Sequence, residues 1–174
     1  MAKSESLREY QDSILKKMAA ARSNEVLYSK TYFGFKASKR NFLVPGEDIL
    51  EMVAPSKLEP IPASKPWLVG AANIKGSVYT VTDFSILIGG DPIKNGKFII
   101  LSSHIMPGSA VLVDSMTELN DTQTIGISIH DDGMKNMPKW ISSCHEFAGE
   151  RHYLLDASLL ASDPGFSKLQ RGEI

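Results

Sequence analysis

The stretch GAANIKGSVYTVTDF, residues 70–84, decides how the chain is to be read. Its glycines Gly70 and Gly76, with Lys75 between them, have the outline of a phosphate-binding loop. A Walker loop needs the order Gly-Lys-Ser/Thr, so that the lysine opens a helix and reaches the phosphates. Here Lys75 precedes Gly76, and SVYTVTDF continues in the β-branched and aromatic texture of a strand. The stretch therefore predicts a tight connection turned by glycine, feeding a strand that ends at Asp83. Asp83 is then placed to cap the short apolar turn FSIL.

The β texture extends both ways. VLYSKTYFGF, FLV, ILEMV, KFIILSS, SAVLVDSMTEL, TIGISI, SSCHEF and RHYLLD read as strands, with KASKRN as a polar turn. Pro55, Pro60, Pro62 and Pro66 make APSKLEPIPASKP an extended connector, and Asn95-Gly96 signals a hairpin. Roughly ten short strands at regular spacing predict a mainly β fold of one or two small barrels. VTDFSIL and LLDASLL echo each other, with Asp83 and Asp156 as the paired caps, which points to two related β subdomains.

Leu7, Ile14 and Met18 recur at helical spacing, and Ser4 or Ser6 supplies a cap, so residues 1–24 are expected to form a helical extension. Residues 25–163 form the β domain, ASLLA adds a short helix, and 164–174 is expected to be a frayed C-terminal tail.

Nineteen basic and twenty acidic side chains give a formal charge of −1, which disfavours nucleic acid and anionic lipid as partners. The single cysteine, Cys144, forms no internal disulfide. No apolar run approaches the roughly 20 residues needed to cross a bilayer, and no secretory signal opens the sequence. The expectation is a cytoplasmic protein without direct membrane insertion.

Cys144-His145 looks like a nucleophile and base, but neighbours on a strand point to opposite faces. His104, His130, His145 and His152 lack metal-ligand spacing, and HDDG at 130–133 lacks the alternating oxygen ligands of a calcium loop. No Gly-x-Ser-x-Gly elbow occurs. No catalytic residue, cofactor or metal is expected.

Trp67, Gly70, Asn73, Gly76, Val81, Asp83, Leu87 and Gly89 together resemble the signature of the CheW family of chemotaxis coupling proteins. The resemblance continues upstream through YFGF and EDILEMV, where Glu51 falls on the family's acidic position. Downstream it runs through AVLVDSMTEL and GERHYLLDASLL, and it covers residues 26–161. Within the family the likeness is to the PilI-type branch of twitching-motility systems. It implies two intertwined five-stranded SH3-like barrels and no catalysis. It also implies an adaptor between the cytoplasmic tip of a methyl-accepting chemoreceptor and the CheW-like regulatory domain of a CheA-type histidine kinase, recruited to receptor arrays at the cell pole. The alternatives are a general flagellar-chemotaxis coupling protein and, outside the family, a β-barrel nucleic-acid module or a thiol enzyme acting through Cys144.

The resemblance also implies that receptor contacts lie in the groove between the subdomains and involve the Glu51 and Lys75 positions; Ile49 and Asn73 are further interaction candidates. Ile49 and Glu51, two apart on one strand, are expected to share a face. On the residues alone, Ile49 is core and Glu51–Lys75 an exposed ion pair. Trp67, Gly70, Gly76, Asp83 and Asp156 read as structural, and Trp140, Phe33, Phe35 and Phe84 as core or seam. Lys75 stands where the family has arginine and Thr80 where it has proline. Lysine lacks the planar fork of a guanidinium, so the receptor contact differs if that fork is needed.

Overall fold

The computed structural model describes residues 11–16, 31–62, 65–119, 128–129, 132–147 and 149–170. The chain divides into Met1–Lys30 and Thr31–Ile174. In the first unit residues 11–16 are helical (α1), with Ile14 and Leu15 exposed. The rest of the expected N-terminal helix, and the strand expected from Val26 as far as Lys30, lie outside the described residues.

The second unit begins with a hairpin. Strands β1 (Tyr32–Ala37) and β2 (Arg40–Pro45) are joined by Ser38 and Lys39, whose φ angles are 51° and 61°. Two left-handed central residues give the type I′ geometry, whose twist matches that of paired strands. The opening stretch is built the same way. β5 (Leu68–Ile74) and β6 (Ser77–Asp83) are joined by Lys75 and Gly76, with φ 51° and 86°. The glycine-turned connection and the strand ending at Asp83 are both found.

The remaining elements are β3 (Ile49–Val53), β4 (Leu58–Glu59), α2 (Phe84–Leu87), β7 (Lys97–Leu101), β8 (Ser109–Val113), β9 (Ser115–Leu119), β10 (Ser128–Ile129), β11 (Ile141–Phe147), β12 (Glu150–Leu155), α3 (Ala157–Ser162) and α4 (Pro164–Gln170). They form two sheets, ordered β4-β5-β6-β8-β7-β3 and β10-β11-β12-β2-β1-β9. Each has five longer strands and one of two residues. The two orders become identical when β1–β6 are matched with β7–β12. Each half of the chain therefore lends its opening hairpin to the other half's sheet, and the two SH3-like barrels are intertwined.

The echo in the sequence is the trace of this repeat. The Asp83 carboxylate accepts the Ile86 N–H at 3.1 Å, and that of Asp156 accepts the Leu159 N–H at 2.9 Å. Asp83 N–H donates to the Trp67 carbonyl and Asp156 N–H to the Trp140 carbonyl, each at 2.8 Å.

Two expectations are corrected. Asn95-Gly96 closes no hairpin: β7 pairs with β3 and β8, and a Cβ at Gly96 would collide with the Val113 carbonyl. This glycine serves close approach rather than a reverse turn. Nor is the segment after Ser162 a frayed end throughout. α4 carries Phe166 into the core, stacked on Trp67 at 5.1 Å and 25°. The repeat supplies the reason. Phe84 packs edge-on against Trp140 at 5.7 Å, whereas its counterpart in the second half, the residue after Asp156, is Ala157, too small to fill the matching space beside Trp67. Phe166 provides the missing ring.

The larger core joins Phe35, Phe42, Phe84, Trp140, Tyr153 and Phe166 with aliphatic residues of both halves, and Phe33 and Trp67 pack on it. A second core fills the β4–β3 barrel with Ala72, Ile74, Val81, Phe98, Ile100, Ala110 and Leu112.

Candidate partner-docking site

Glu51, on β3, and Lys75, in the β5–β6 turn, belong to elements that are not neighbours in their sheet, yet their side chains form an ion pair. The sheet is therefore rolled, and the pair sits at the rim where β3 meets the tip of the β5–β6 hairpin. Lys75 is 70% exposed and Glu51 38%. At that exposure the pair contributes about 0–1 kcal/mol, so stability does not require it. Asn73 stands beside it and braces the turn, its side-chain oxygen accepting the Gly76 N–H at 3.0 Å.

The expectation that Ile49 and Glu51 share a face fails. Ile49 is opposite Leu101 and Glu51 opposite Ile100, so Leu50 is the extra residue of a bulge. Leu101 and Ile100 face opposite sides of β7, and the same holds for the residues paired with them. Ile49 accordingly packs on the larger core, while Glu51 turns toward the rim and Lys75. The structure brings Glu51, Lys75 and Asn73 together and packs Ile49, half-buried, against the larger core.

The bulge also exposes apolar residues that the sequence reading passes over. Leu50 is 63% exposed and Met52 41%, both on β3, which is an edge strand. Val78, opposite Asn73, is 67% exposed. An edge strand with open backbone groups and exposed apolar side chains is a pairing surface. The signal in the sequence is ILEMV itself, where four apolar residues surround one acid and cannot all turn inward.

The other singled-out residues occupy packing and hydrogen-bonding positions. Gly70 has φ 151°, and a Cβ there would lie 2.5 Å from the Glu59 carbonyl oxygen, so its lack of a side chain lets β4 approach. Asp83 is buried and accepts a second N–H, from Ile93, at 2.9 Å. Cys144 lies in the larger core, while the neighbouring His145 ring engages the Ser143 hydroxyl at 2.8 Å. Among the described residues, no three His, Cys, Asp or Glu side chains cluster as metal ligands, and no helix is long and apolar enough to cross a membrane. His130 and Asp131 lie outside the described residues.

Residues 31–164 match the family model of the CheW-like domain. The chain is 22% identical over 94 residues to "Protein PilI" of Pseudomonas aeruginosa, a match spanning 53% of each, so about half of that relative's length is covered. A solved structure, the scaffolding protein TtCheW from Thermoanaerobacter tengcongensis, aligns with a TM-score of 0.55 at 16% identity. That alignment covers 72% of this chain and 88% of the other.

Proposed function

The chain belongs to the CheW-like domain family, and from that premise we propose that it is a non-enzymatic adaptor coupling a methyl-accepting chemoreceptor to a CheA-type histidine kinase, in a system that controls type IV pilus twitching motility. The likeness to PilI supports the pilus assignment within the family.

The observation that carries the reading is the rim itself. Glu51 and Lys75 form an exposed pair that the fold does not need, next to the exposed Leu50 of an edge strand. A receptor helix with charged and apolar surface complements such a rim: opposite charges fix register while apolar area adds affinity. Either member of the ion pair can exchange its partner for one on the receptor at little cost in stability.

The test is reconstitution. The full chain is mixed with the kinase's CheW-like regulatory domain and a soluble receptor tip fragment, and complexes are resolved by size. The reading expects a ternary complex and, in cells lacking the protein, loss of twitching with swimming intact. Failure to bind the kinase domain overturns the adaptor assignment. Loss of swimming with intact twitching assigns the protein to flagellar chemotaxis instead.

A further inference from the structure

The repeat allows the mouths of the two barrels to be compared residue by residue. In the β4–β3 barrel the cross-strand row is Glu51–Ile100–Ala110–Val81, and in the β10–β9 barrel it is Thr117–Gly34–Leu43–Leu154. Isoleucine is thus replaced by glycine and the rim acid by threonine, and the sequence counterpart of Lys75, at the offset that relates Asp83 to Asp156, is the uncharged Ala148. The first mouth is filled by Ile74 and Ile100 and spanned by the Glu51–Lys75 pair. The second, lacking both the filling side chain and the bridging pair, holds a cavity of about 250 Å³.

Its lining is chemically mixed. Lys36 and Glu150 bring opposite charges to one opening, and no ion pair joins them. The Asn41 amide occupies one Glu150 oxygen at 3.0 Å, leaving the other. Phe147 supplies apolar wall, while the Phe35 side chain turns away into the larger core. His152, buried, is 3.1 Å from the Glu150 carbonyl through Nδ1. Because a carbonyl only accepts, Nδ1 carries the proton, and in the neutral ring Nε2 is an acceptor.

We propose that this mouth is a binding socket for a small zwitterion with an apolar substituent, namely a free apolar α-amino acid. Its carboxylate is held by Lys36, its ammonium by Glu150 with His152 as second acceptor, and its side chain lies against Phe147 in the space left by Gly34. Concave sites with apolar walls and a few convergent polar groups are where small ligands bind. A ligand carrying both charges satisfies two groups that the fold leaves apart.

The test is calorimetric titration of the full chain with L-leucine and L-phenylalanine, beside isovalerate and isopentylamine, which each carry one of leucine's charges. Saturable binding at about millimolar Kd or tighter is expected for at least one amino acid, with each single-charge analogue at least about tenfold weaker than leucine where leucine binds. Lys36→Ala and Glu150→Gln, both at exposed positions, are each expected to weaken the amino acid about tenfold or more, with the fold retained by circular dichroism. Absence of saturable binding for both amino acids, or binding indifferent to both substitutions, overturns the proposal. Glu51→Lys, on the other barrel, is expected to leave this binding unchanged, which separates the socket from the adaptor reading.

Discussion

Lys75 holds a left-handed backbone conformation with φ 51° and also carries the rim's positive charge. A residue with a Cβ is strained there, and asparagine tolerates the region better than lysine. Lys75→Asn is therefore expected to leave stability equal or up to about 1 kcal/mol higher while impairing receptor coupling, a combination that denaturant melts and kinase assays check separately. The two aspartate caps, alike in sequence, differ in weight. Asp83 is buried and accepts two N–H groups, so Asp83→Ala is expected to cost about 2–4 kcal/mol. For Asp156→Ala, which removes a helix cap from the Leu159 N–H, about 1 kcal/mol is expected, and equal losses at the two sites would contradict this assignment. Both caps are legible in the sequence, because an aspartate before a short apolar turn has a local explanation. The difference in burial is not, since it depends on the segment at Ile93 folding back over Asp83.

Strand ILEMV shows what a sequence pattern misses. Its β character is plain, but the bulge at Leu50 depends on pairing with β7, a strand far along the chain, and one inserted residue reverses the face of everything beyond it. The pattern alone therefore groups Ile49 with Glu51 and overlooks the exposed Leu50 and Met52. α4 is a second case, because the need for Phe166 arises from the small Ala157 and the open face of Trp67, neither of which is near it in the helix pattern. Phe166→Ala is expected to destabilise by about 3–5 kcal/mol, measured by urea unfolding, although this residue follows the repeated β core. A loss under about 1 kcal/mol would mean that Trp67 does not depend on α4.

At the scale of the molecule, the repeat is visible as two short motifs, one in each half of the chain, and the family signature extends it to a double barrel. The exchange of hairpins is not visible residue by residue, because parallel pairing of β6 with β8 and of β12 with β2 joins distant segments without a local mark. The exchange has a thermodynamic consequence. Neither half owns a complete sheet, so the domain is expected to unfold as one cooperative unit. Trp67→Phe and Trp140→Phe proteins, each reporting fluorescence from one remaining tryptophan, should follow the circular dichroism transition of the same variant; separated midpoints would indicate barrels that melt independently. Because the rim contributes little to this stability, its substitutions report on partners rather than on folding. The most direct test is therefore receptor-controlled autophosphorylation of the CheA-type kinase in the presence of Glu51→Lys or Lys75→Glu protein. Folded variants that still bind the kinase but reduce receptor control about fivefold or more, a coupling change of about 1 kcal/mol, are the predicted result. Receptor control equal to that of the unaltered protein in both variants would contradict the account.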